Sequence, residues 1–152
     1  MCGIAGFCGQ GDGKILEKMG EAIAHRGPDA RGSYLLPGRV GLEFRRLSII
    51  DLSGSNQPIW NEDKTVAVIC NGEVYNFKEL RNQLSARHRF STEGDIETIV
   101  HLYEDKGENF LSDLNGMYAG AIWDSRKRRM ILFRDRFGKK PLYYSVVGSN
   151  LI

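Results

Sequence analysis

An α+β fold, antiparallel sheets covered by helices, is what this sequence predicts. Three observations lead to it. Three pairs of strand-like segments are joined by short, turn-rich connections. Three stretches between them have helical spacing of apolar residues. Strands and helices do not alternate as regular βαβ units, so a parallel sheet is not implied. The 152 residues match the size of one domain. An apolar content of 41% and a charged content of 26% are those of a globular chain.

Cys2 to Gly9 alternates and reads as a strand. Lys14 to His25 places Ile15, Leu16, Met19, Ala22 and Ile23 on one helical face. His25-Arg26-Gly27-Pro28-Asp29 is a loop. Arg31 to Leu36 and Arg39 to Phe44 form a hairpin around Pro37-Gly38. Arg45 to Gln57 is a long irregular stretch with an apolar centre, Leu47 to Leu52, as binding loops often are. Ile59 to Cys70 is a second hairpin turning near Asn61 to Lys64. Asn76 and Glu79 have capping-box spacing. The helix they open puts Phe77, Leu80 and Leu84 on one face. Another helix, about Asp95 to Lys106, aligns Ile96, Ile99, Val100 and Tyr103. Gly116 to Asp124 and Met130 to Asp135 are the third hairpin, with Arg126 to Arg129 as a solvated basic tip. Leu142 to Val147 reads as a further strand, and Leu151-Ile152 as the start of its return. A domain seldom stops one step into a strand, so the chain is expected to be a piece of a longer protein.

Several function classes are excluded. A net charge of +2 is too small to imply nucleic acid or an acidic membrane as partner. Apolar runs such as Val66 to Cys70 are too short to span a bilayer. No basic segment followed by an apolar stretch opens the sequence, so no signal peptide is expected. The three cysteines, Cys2, Cys8 and Cys70, form no CxxC pair, which argues against a disulfide framework or zinc site and for a reducing cytoplasm. His25, His88 and His101 show no metal spacing, and no GxGxxG or GxxxxGK[ST] loop is present. No metal or cofactor is therefore expected here.

Cys2 is the residue with the most chemistry in it. A small second residue allows Met1 to be trimmed. That would leave a thiol and a free α-amine on one Cα. Such an amine has an ordinary pKa of about 7.7–8, so it can deprotonate its own thiol near neutrality. A cysteine there is more often a small buried residue. A thiolate attacking an amide also needs oxyanion donors and partners for the substrate's charged ends. Asn71-Gly72 offers a side-chain NH2 and an accessible backbone N–H, although a tight turn is the commoner fate of Asn-Gly. Arg46 offers a bidentate carboxylate clamp, or is a surface arginine. Glu73 and Asp95 offer charge for an ammonium. The alternatives are a solvated side chain for Glu73 and a helix N-cap for Asp95.

Together these residues resemble one family. Met1-Cys2-Gly3-Ile4-Ala5-Gly6 looks like the opening of class II glutamine amidotransferase domains, which are N-terminal-nucleophile (Ntn) hydrolases. Four further blocks resemble the glutamine-hydrolysing asparagine synthetase branch. They are His25 to Asp29, Arg45-Arg46-Leu47-Ser48-Ile49-Ile50-Asp51, Asn71-Gly72-Glu73-Val74-Tyr75-Asn76, and Arg134 to Gly138 with Lys140-Pro141-Leu142-Tyr143-Tyr144. The match runs in order along essentially residues 1–152.

The resemblance implies a four-layer αββα sandwich of two antiparallel sheets. It implies Cys2 as nucleophile and Asn71 and Gly72 as oxyanion donors. Arg46 would bind the glutamine α-carboxylate, and Glu73 and Asp95 its α-amine. Leu47, Ser48, Ile49 and Ile50 would line the glutamine pocket, and His25 to Asp29 would pack beside it without chemistry. The implied reaction is hydrolysis of glutamine to glutamate and ammonia. The implied partners are glutamine, a C-terminal synthetase domain using ATP and Mg²⁺ to make asparagine, and a second copy of the chain as a candidate. Two alternatives stay open: an amidotransferase of the same type acting on a polysaccharide or secondary metabolite, and a silent interaction domain with Met1 retained. Glu43-Phe44 stands where many relatives have Gly-His, so the surroundings of Arg46 are where this chain departs from the pattern.

Overall fold

A computed structural model describes residues 2–47 and 56–152. The chain begins with strand β1 (Gly3–Cys8) and helix α1 (Gly13–Ala22). A 3-10 turn (Ala24–Arg26) leads to β2 (Ala30–Leu36) and β3 (Val40–Arg46). Then come β4 (Ile59–Trp60), β5 (Val66–Val74), α2 (Phe77–Leu84) and α3 (Glu97–Lys106). A 3-10 stretch (Gly107–Asp113) precedes β6 (Gly116–Asp124), β7 (Arg129–Arg134), β8 (Val146–Val147) and β9 (Asn150–Leu151). Among the described residues these strands make two sheets, β2-β3-β1-β9-β8 and β4-β5-β6-β7. Every pairing is antiparallel.

The layers follow from alternation along β5. Val66, Val68 and Cys70 face α2 and α3 in one core, with Leu80, Leu84, Ile99, Val100 and Tyr103. Ala67 and Ile69 face the other sheet in a second core, with Val40, Leu42, Phe44, Ala121 and Trp123. A strand covered on both faces has an unbroken apolar run instead of a polar-apolar alternation. On the outer side of the first sheet, α1 lies against β1 and β3, with Leu16 and Gly20 buried. Helix, sheet, sheet and helices thus stack as the expected αββα sandwich.

The β2–β3 hairpin turns at Pro37-Gly38, where Gly38 adopts φ +69°. The basic tip of the β6–β7 hairpin turns with Arg128 at φ 52°. Several local expectations are corrected. On α1, Ile15 is 46% exposed and Ala22 is also exposed. The helix lies on a narrow stripe of Leu16, Met19, Gly20 and Ile23, and Asp12 accepts the Ile15 N–H at 2.9 Å as its N-cap. The Asn76–Glu79 capping box does not form. The Asn76 side chain donates to Asp113 O at 2.9 Å and accepts from Asn115 N at 3.0 Å, tying α2 to the start of β6. Asn71-Gly72 is no turn, because both residues lie inside β5 opposite Ala119 and Tyr118. Leu142 to Ser145 is not strand. Ser145 exchanges hydrogen bonds with Ile152, and only Val146–Val147 continues as β8.

Candidate active site

β1, β3, β5 and the segment entering α3 converge on one pocket of about 90 Å³. Cys2, Arg46, Leu47, Gly72, Glu73 and Asp95 line it, with Phe44, Gln57, Cys70, Gly94 and Ile96. Six of the residues singled out in the sequence therefore share one site. Asn71 is buried on β5 beside Gly72 but does not line the pocket. Alternation puts it on the strand face shared with Ala67 and Ile69, the side on which Cys2 packs. Ser48, Ile49 and Ile50 lie outside the described residues.

Short contacts hold the nucleophile candidate. The Cys2 thiol faces Leu47 O at 3.6 Å and accepts the Leu47 N–H at 3.4 Å. Arg26 Nε donates to Cys2 O at 3.2 Å. Asp29 N donates to Arg46 O at 3.0 Å, and Gly27 sits against the backbone of Arg45 and Arg46 with no room for a Cβ. The 25–29 loop thus packs beside the site, as expected. Arg26 anchors the backbone of Cys2, a role no linear motif announces.

Charge is divided across the pocket. Arg46 closes β3 and is buried. Glu73 and Asp95 stand together among the lining residues. Asp95 Oδ2 accepts the Val74 N–H at 2.7 Å, so this carboxylate braces β5 instead of capping α3. Burial pushes the Asp95 carboxyl above its usual range, and the Glu73 charge adds to that push against the amides of Val74, Asp95 and Ile96. A cation seated between the two carboxylates would relieve the strain. A site with one guanidinium, a carboxylate pair and a sulfur suits a zwitterionic amino acid whose far end reaches the sulfur.

Gln57 and Cys70 form the floor. Gln57 Nε2 donates to Cys70 O at 3.1 Å, and the Cys70 N–H donates to Gln57 Oε1 at 2.6 Å. The carboxamide thereby acts as one more rung of the ladder beyond β4. Burial, followed by the Asp95 charge, pushes the Cys70 thiol far up. That shift disfavours a Cys70 thiolate. Glu43, at the position that departs from the family pattern, points away from the site. It is sealed against Gly20 of α1 and paired with Arg31 at 2.6 Å and Arg45 at 3.5 Å. Phe44, next to it, supplies apolar wall to the pocket. A larger cavity of about 380 Å³, beside Ile4, Phe7, Leu42, Tyr143 and Tyr144, contains no charged side chain.

The structure of a glutamine phosphoribosylpyrophosphate amidotransferase from B. subtilis superposes with a TM-score of 0.78 at 21% identity, covering 99% of this chain and 41% of that one. That likeness identifies the sandwich as the Ntn-hydrolase fold. The glutamine amidotransferase domain family matches residues 1–152, and the chain belongs to that family. It is 46% identical to "Asparagine synthetase [glutamine-hydrolyzing] 2" of Bacillus subtilis, over 100% of this chain and 21% of that protein. It is 44% identical to an Arabidopsis thaliana asparagine synthetase, over 94% of this chain and 25% of that protein. It is also 39% identical to "Amidase chry2" of Gibberella zeae, again over 100% of this chain and 25% of that one. The chain therefore spans a fifth to a quarter of the length of these relatives. No helix is long and apolar enough to cross a membrane among the described residues.

Proposed function

We propose that this chain hydrolyses glutamine to glutamate and ammonia through a γ-glutamyl thioester on Cys2. In the parent protein the ammonia would serve an ATP- and Mg²⁺-dependent synthetase domain that converts aspartate to asparagine in the cytoplasm. The observation that supports this most is that Cys2, Arg46, Gly72, Glu73 and Asp95 line a single pocket.

The steps use only groups in or beside that pocket. Once Met1 is removed, the α-amine of Cys2 takes the thiol proton. Arg46 holds the substrate carboxylate, and Glu73 with Asp95 holds its ammonium. The thiolate attacks the side-chain amide carbon. The oxyanion is met by Gly72 N–H and the Asn71 amide, each such donor being worth about 10²–10³ in rate. The protonated amine passes its proton to the departing nitrogen, ammonia leaves, and water cleaves the thioester.

The test is Cys2→Ala in correctly processed protein, with glutamate release as readout. Hydrolysis is expected to vanish while the melting temperature stays unchanged, and persistent hydrolysis would refute the nucleophile assignment. Similarity to a fungal amidase along the whole chain supports a second reading, in which the parent protein delivers ammonia to an acceptor other than aspartate. Product analysis of the full-length protein with aspartate and ATP separates the two.

A further inference from the structure

At helix α3 four side chains meet that no linear motif connects. His101 is fully buried on α3, and Glu104 follows it one turn later. His88 comes from the segment after α2 and Glu62 from the β4–β5 turn. One ligand-capable atom from each lies within 4.8 Å of all the others. None of the four lines the Cys2 pocket.

We propose that His88, His101, Glu62 and Glu104 form a binding site for a divalent transition-metal ion, Zn²⁺ by donor set and geometry. The two imidazoles both turn Nδ1 inward. His88 Nδ1 lies 3.5 Å from Glu62 Oε1 and 3.7 Å from Glu104 Oε2. His101 Nδ1 lies 3.7 Å from Glu62 Oε2 and 3.3 Å from Glu104 Oε2. Zinc bonds of about 2.0–2.2 Å in a tetrahedron put neighbouring donors roughly 3.3–3.5 Å apart. The four histidine–carboxylate distances are within a few tenths of an ångström of that, while the full set of four donors spans up to 4.8 Å and would draw in around the ion. Two imidazole nitrogens with two carboxylate oxygens is a donor set zinc accepts, and two neutral rings with two carboxylates balance a 2+ ion.

Outer partners already orient the donors, as metal sites require. His88 Nε2 pairs with Asp105 Oδ1 at 3.0 Å, which leaves Nδ1 free to coordinate. Asn61 Nδ2 donates to Glu104 Oε1 at 2.7 Å, and Arg89 N donates to Glu62 Oε1 at 2.8 Å. His101 Nε2 faces Glu97 Oε1 at 3.7 Å and is sealed without a hydrogen bond. The rings stack at 4.5 Å between centroids, an arrangement that two imidazolium cations would oppose. Of the four ligands Glu62 borders a surface cleft of about 520 Å³, so an ion would enter past its side chain. A bound ion would pin the β4–β5 turn and the α2–α3 connection to α3, the helix that follows Asp95.

The experiment is a Zn²⁺ titration of the chelator-stripped chain, followed by calorimetry and thermal melting. A Cys2→Ala background keeps the first thiol from chelating. One equivalent is expected to bind. The melting temperature should rise roughly 5–10 °C when Zn²⁺ exceeds its Kd a hundredfold. Glu62→Gln and His88→Gln are each expected to weaken binding tenfold or more. Glu62 is 37% exposed, so its variant folds even if a change at a histidine does not. Failure to bind Zn²⁺, or equal affinity in wild type and Glu62→Gln, would overturn the site and leave the four side chains as an ion-pair network.

Discussion

Arg46 and the Glu73–Asp95 pair set opposite charges around Cys2. A carboxylate clamp acts in ground state and transition state alike, so Arg46→Ala is expected to raise KM for glutamine roughly tenfold or more with kcat little changed. Steady-state kinetics check this, and a fall in kcat at constant KM would assign Arg46 another role. Cys2, Arg46, Gly72, Glu73 and Asp95 were legible because each is a residue type whose own side chain or amide suits the chemistry. Gln57, Gly94 and Arg26 were not. Gln57 matters through a carboxamide that mimics backbone, and Arg26 through one carbonyl of Cys2. Such contacts exist only once distant segments have met.

At the scale of elements, Asp135 follows β7 and organises the loop beyond it. Its carboxylate accepts the N–H groups of Tyr118 at 3.2 Å, Phe137 at 3.1 Å, Lys139 at 2.9 Å and Lys140 at 3.0 Å. Burial alone would raise its pKa, but the amides of Lys140, Lys139, Tyr118 and Phe137 outweigh that and hold it below the usual carboxylate range. A depressed folded pKa contributes stability that is complete above the unfolded value, near 4, and is lost as pH falls through the folded one. Asp135→Asn should therefore cost roughly 2 kcal/mol at neutral pH. Denaturant melts at several pH values should show the gap to wild type constant above about pH 5 and closing below about pH 4. The hairpins were readable from Pro37-Gly38 and the basic tip, because turn residues act locally. Asn76 misled because its best partners, Asp113 and Asn115, lie across the fold and outcompete its own helix. Leu142 to Ser145 misled because an apolar, aromatic run becomes strand only with a neighbour to pair with.

Over the whole molecule, β5 and β6 serve two cores at once, one against α2 and α3 and one between the sheets. Neither core can come apart without exposing the shared strands. Ile99→Val on the helix side and Ile69→Val between the sheets should each cost about 1 kcal/mol, or roughly 2–4 °C. Both are expected to lower one calorimetric transition, and the double variant should add within about 0.5 kcal/mol. Two separate transitions would contradict a shared scaffold. The α+β class was legible from the absence of βαβ spacing, whereas the stacking order was not. Val66 to Cys70 is apolar at every position, and only pairing reveals which side faces what. Cys70 turns that double burial into a practical gauge. Cys70 is 1% exposed, so an alkylating reagent too bulky for the Cys2 pocket of about 90 Å³ captures its sulfur only while the strand has parted from its neighbours. The labelling rate under native conditions therefore measures the free energy of that parting, with no denaturant to extrapolate away.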